Sequence, residues 1–125
     1  MKQLFLMFLL VPLLQDVHLE NITSAIKAGD LQTLSSYLDS TVEIALLEEG
    51  EMYVKEEAVG KLKAFFAQNK PTSFQPVHKG FSGGKGSMYC IGDFATNKEK
   101  YRVFIYIKVQ DSQYFIQELR FEKNN

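Results

Sequence analysis

Tyr101-Arg102-Val103-Phe104-Ile105-Tyr106-Ile107-Lys108-Val109 decides the fold of this chain. The segment is rich in β-branched and aromatic residues, which suit a strand. Successive strand side chains point to opposite sides. Tyr101, Val103, Ile105, Ile107 and Val109 therefore share one face, and Arg102, Phe104, Tyr106 and Lys108 share the other. A sheet with one solvated face carries polar residues outward, yet this strand is apolar on both sides. The segment before it repeats the pattern, with Met88, Cys90 and Phe94 opposed to Tyr89 and Ile91. One face must close a core. The second must be covered by something else, because contiguous exposed apolar surface marks an interface.

Working outward, the C-terminal half has no helical periodicity. It divides into extended segments at about Ser73–Phe81, Ser87–Thr96, Tyr101–Val109 and Tyr114–Lys123. The breaks are Ser82-Gly83-Gly84-Lys85-Gly86, Asn97-Lys98-Glu99 and Gln110-Asp111-Ser112-Gln113, all short and rich in turn formers. Short links favour antiparallel neighbours, so this half is a four-strand meander.

The N-terminal half reads differently. Leu19, Ile22 and Ile26 lie at helical spacing within Asp16–Ala28, and Gly29 stands at a C-cap position. Asp30 suits the N-cap of a second short helix whose stripe is Leu31, Leu34 and Leu38, ended by Asp39-Ser40. Thr41–Leu47 and Met52–Val54 form a hairpin about the polar turn Glu48-Glu49-Gly50-Glu51. Lys55–Gln68 is the third helix, with Val59, Leu62 and Phe66 on one face and Asn69-Lys70-Pro71 as its stop. Val54 offers no capping side chain. Gly60, inside this helix, costs roughly 1 kcal/mol against alanine, so a close packing contact is expected there. The fold class is α+β in the order ααββαββββ, with residues 16–125 as one domain.

Composition narrows the function. The 125 residues include 14 Lys and Arg against 15 Asp and Glu, and 46% are hydrophobic, as in an ordinary globular chain. Arg102 and Arg120 are the arginines, and no basic stripe of the kind that tracks phosphates is present, which argues against nucleic acid. Lys2 followed by the apolar run Leu4–Leu14 resembles a secretory leader. The run is shorter than the roughly 20 residues of a membrane span. Residues 1–15 are expected to be a signal peptide cut near Gln15. Leu13-Leu14-Gln15 lacks the small residues that a signal peptidase prefers, so an uncleaved anchor and a buried N-terminal helix remain alternatives. Contact with a membrane is expected only through that leader. The exported domain would reside in the periplasm or cell envelope.

The element order resembles the nuclear transport factor 2-like, or cystatin-like cone, superfamily. More narrowly, Ile26-Lys27-Ala28-Gly29-Asp30, Ser40-Thr41-Val42-Glu43, Pro71 to Phe74, His78 to Gly80 and Ile116 to Lys123 resemble a family of short exported bacterial proteins, domain of unknown function 4783. The resemblance implies helices packed on a strongly curved antiparallel sheet, over about Asp16 to Lys123. It implies no activity for the family. The wider superfamily contains isomerases, dehydratases and many non-enzymes, so a reaction has to be argued from a site.

No catalytic constellation emerges from the residues. His78, Asp93 and Glu118 are the candidates for an acid, base or ligand contact inside a cone. Each has a plainer account. Pro76 beside His78 suggests an edge or bulged strand. Asp93 follows Gly92 near a strand end. Glu118 alternates onto the face of Arg120 and Glu122, as in a cross-strand ion-pair set. The other histidine, His18, lies in the first helix. Cys90, the single cysteine, reads as a small buried hydrophobe without the cationic neighbour a reactive thiol needs. The glycine-rich Gly80–Gly86 segment lacks P-loop spacing and precedes a strand, so it reads as a hairpin loop. Glu48 to Glu51 lacks the EF-hand ligand pattern. No metal and no cofactor are called for.

Tyr89, Ile91, Phe104 and Tyr106 are expected to form a homodimer interface on the outer sheet face. The resembled fold often pairs its sheet back-to-back with another copy. A bend in the sheet, or the leader, would be the other way to shield these rings. The expected function is a non-catalytic exported domain that binds a partner protein or a small apolar ligand. The alternative is a small-molecule isomerase or lyase using an acid or base inside the cone.

Overall fold

A computed structural model describes residues 17–82, 84 and 86–124. The expected leader, its cut near Gln15, Asp16, and Gly83 and Lys85 of the glycine-rich segment lie outside the described residues. The elements are α1 (Val17–Ala28), α2 (Leu31–Tyr37), β1 (Leu38–Leu46), β2 (Glu51–Val54), α3 (Lys55–Gln68), β3 (Pro71–Ser82), β4 (Ser87–Thr96), β5 (Lys100–Gln110) and β6 (Gln113–Lys123). Over the described residues the order is ααββαββββ, and the α+β class that the sequence pattern predicts holds.

The alternating stretch becomes β5. It lies between β4 and β6 in a six-stranded sheet of order β2-β1-β6-β5-β4-β3. The meander is antiparallel throughout, whereas β1 runs parallel to β6, with Ile44 opposite Leu119. This parallel pair departs from the antiparallel sheet expected. Parallel neighbours need a long crossover, and β2, α3 and the first three meander strands supply it. Register shifts at Pro71/Ser73, Pro76/His78 and Tyr106/Ile107 each add one residue to one strand, as bulges that bend strands and curve a sheet do, and a larger irregularity interrupts the β1–β6 ladder between Leu38 and Glu43. The Asp111-Ser112 turn between β5 and β6 has both residues at positive φ, 51° and 63°, as a two-residue type I′ hairpin requires.

The helices follow their local signals, with two corrections. Gly29 takes φ +66°, its N–H donates to the Ile26 carbonyl at 3.2 Å, and the Asp30 N–H donates to the Ala25 carbonyl at 2.8 Å. This is a Schellman closure of α1, and glycine adopts its left-handed residue freely. The Asp30 carboxylate then accepts from the Thr33 N–H at 3.1 Å and caps α2. Leu38, expected on the stripe of α2, instead opens β1 with ψ 140° and pairs with Ile116. Asp39 and Ser40 are strand residues. The physical reason is that Leu38 stays 2% exposed while its backbone joins the ladder. Gly60 is the second correction: a Cβ there would meet nothing within 4 Å, so no close contact requires glycine. The start of α3 has no side-chain cap, as Val54 implies, although Glu56 and Glu57 in its first turn suit the helix dipole.

The helices cover the inner face of the sheet. Leu19, Ile22 and Ile26 of α1, and Leu62, Phe65 and Phe66 of α3, meet Met88, Cys90, Val103, Ile105, Ile107, Ile116, Leu119 and Phe121 in one core. Among the described residues no helix is long and apolar enough to cross a membrane.

Candidate functional site

The two faces of β4 and β5 separate as their alternation dictates. Tyr101, Val103, Ile105 and Ile107 are each at most 2% exposed on the inner side. On the outer side Tyr89 pairs with Tyr106 and Ile91 with Phe104 across the β4–β5 ladder. Tyr89 remains 37% exposed and Tyr106 38%. These four side chains, with Glu118, Arg120 and Glu122 of β6, line an open groove of about 440 Å³. Tyr89 lies over Gly80 of β3, where a Cβ would come within 3.3 Å of its ring, so glycine lets the ring lie flat against the edge strand. The Ser87 and Ser82 hydroxyls near the Tyr106 hydroxyl hold its pKa below the usual phenol value, against the opposing effect of burial.

A rim of paired charges surrounds this apolar strip. Arg102 Nε and Nη2 both approach Asp93 Oδ1 at 2.9 Å, and Asn124 Nδ2 donates to the same oxygen at 3.0 Å. Arg120 Nη2 lies 3.0 Å from Glu118 Oε2 and 3.7 Å from Glu43 Oε2. Lys108 Nζ lies 3.6 Å from Asp39 Oδ2. Burial works against the charge on Asp39, but the Ser40 N–H, the Gln117 amide and Lys108 outweigh it and hold its pKa below the usual carboxylate value. Such half-exposed pairs contribute about 0–1 kcal/mol each to stability. Their larger effect is to keep both signs of charge beside the groove.

The sequence candidates fall on this outer face and do not converge. Asp93 is held by Arg102. Glu118 is held by Arg120 and stands opposite Tyr106. His78 is exposed on β3 opposite Ile91, just past the Pro76 bulge. None faces an enclosed cavity. Among the described residues no three His, Cys, Asp or Glu side chains converge to hold a metal. Cys90 is buried on the inner face, and burial raises its thiol pKa, with Lys79 only opposing that.

Among the described residues, aromatic and aliphatic side chains pack the interior of the cone. Phe94 packs against Phe66, Phe74, Tyr101 and Phe121 with ring centroids 5.8–6.4 Å apart. Phe65 adds contacts to Tyr101 and Phe121. Among the described residues Asn69 is the one buried polar residue. Its Oδ1 accepts from the Tyr101 hydroxyl at 2.6 Å and its Nδ2 donates to the Phe65 carbonyl at 3.1 Å. Burial, with Glu99 adding to it, raises the Tyr101 pKa. This latch joins the end of α3 to β5. In the sequence Asn69 reads only as a helix stop, and nothing local links it to Tyr101. A second polar cluster, also unforeseen, ties α1 to α2: His18 Nδ1 lies 3.1 Å from the Tyr37 hydroxyl, which also accepts from Asn21 Nδ2 at 3.0 Å.

Comparison with known proteins adds the following. The family described as Domain of unknown function (DUF4783) matches residues 19–122. The crystal structure of a DUF4783 family protein from Bacteroides ovatus ATCC 8483 is similar at 30% identity and a TM-score of 0.79, covering 84% of this chain and 94% of that one. A DUF4783 family protein from Bacteroides uniformis ATCC 8492 is similar at 28% identity and a TM-score of 0.79, covering 85% and 96%. A putative dehydratase from the NTF2-like family of Streptomyces avermitilis shares the fold at 10% identity and a TM-score of 0.62, covering 87% and 92%. No curated protein matches.

Proposed function

Because this chain belongs to the DUF4783 family and has an NTF2-like fold whose interior is filled, we propose that it is a non-catalytic domain that works by binding through the outer face of its sheet, and that the partner is a second copy of the chain. The observation that carries the proposal is the apolar quartet Tyr89, Ile91, Phe104 and Tyr106, set on the side of the sheet away from the core. Covering an aromatic or aliphatic side chain of this size contributes about 1.5–3 kcal/mol when burial is complete. Tyrosine and arginine are the residue types that anchor interfaces. A two-fold contact apposes a surface to itself, so it needs both signs of charge on one face. Arg102 and Arg120, interleaved with Asp93, Glu118 and Glu122, meet that need.

The proposal places the domain in a bacterial envelope, on the strength of Lys2 and the apolar run Leu4–Leu14. With aromatic rings filling the cone, a small apolar ligand would have the outer groove as its place. The isomerase or lyase alternative needs an inward acid or base. Among the described residues the polar groups inside are the Asn69 amide and the Tyr101 phenol, already bonded to each other, and the Cys90 thiol, whose pKa burial raises.

The test is Phe104→Asp, examined by light scattering, with circular dichroism to establish that the variant folds. A folded single-chain species from the variant, beside a two-chain species from the wild type, supports the proposal. A wild type and variant of the same mass, both folded, overturn it.

A further inference from the structure

We draw no further inference here: the strongest candidate beyond the face already described, the free edge of β3 with the exposed side chains of Val77 and Phe81, carries a proline, a bulge and Lys79, the features by which edge strands avoid pairing, and nothing in the structure shows what would cover it.

Discussion

Phe94→Ala tests the filled cone. Phe94 is 1% exposed and is walled by Phe66, Phe74, Tyr101 and Phe121. Removing its ring forfeits the transfer free energy and leaves a cavity, together about 3–5 kcal/mol for Phe→Ala. The upper half of that range is expected, because the surrounding rings sit on three other strands and α3 and cannot all move inward. A domain of this size is stable by about 5–15 kcal/mol, so the variant remains folded but weakened. Urea unfolding followed by circular dichroism measures the loss. A cavity lined by aromatic rings stays dry and accepts benzene, so benzene should raise the melting temperature of the variant and leave the wild type unchanged. A loss under about 1 kcal/mol, or benzene stabilising the wild type equally and doing so even when Phe104→Asp removes the apolar outer groove, would refute a filled interior.

Two glycine substitutions separate a position that needs glycine from one that does not. Gly60→Ala should stabilise by about 0.5–1 kcal/mol, since the site is open and helical; a destabilised variant in urea would reveal a contact at Gly60. Gly92→Ala should cost about 1–3 kcal/mol by overpacking, because its Cβ would run into the Phe74 ring, and a neutral result in the same assay would contradict that packing. The depressed pKa of Asp39 makes the folded state gain from its charge at pH values above the ordinary carboxylate pKa, a gain that disappears as pH falls through the lower folded value. Wild type should therefore lose more stability than Asp39→Asn between pH 5 and pH 3, and parallel losses would show that the Ser40, Gln117 and Lys108 contacts do not favour the charge.

Much of this architecture was legible where local chemistry and tertiary packing agree. The helix Lys55–Gln68 is bounded by an extended Val54 and by Asn69-Lys70-Pro71, and its bounds follow from those flanks. The division of β5 into two apolar faces follows from alternation alone. Leu38 misled because its spacing from Leu34 suits a helix equally well, and the choice was made by pairing with Ile116, far along the chain. The parallel β1–β6 pair has the same origin, since no turn signal marks a non-local pairing. Gly60 carried no sign of its environment. Asp93 and Glu118 stood out as strand carboxylates, yet their partners are the arginines on the neighbouring strand and two positions along. Asn69 and Tyr101 meet only after α3 has docked on the sheet.

Sedimentation equilibrium of the protein at micromolar concentration bears most directly on what covers Tyr89, Ile91, Phe104 and Tyr106. A mass twice that of one chain, falling toward a single chain on dilution, is the predicted result. A single-chain mass at every concentration would mean that these side chains face water or another partner, and would contradict pairing of the two sheets.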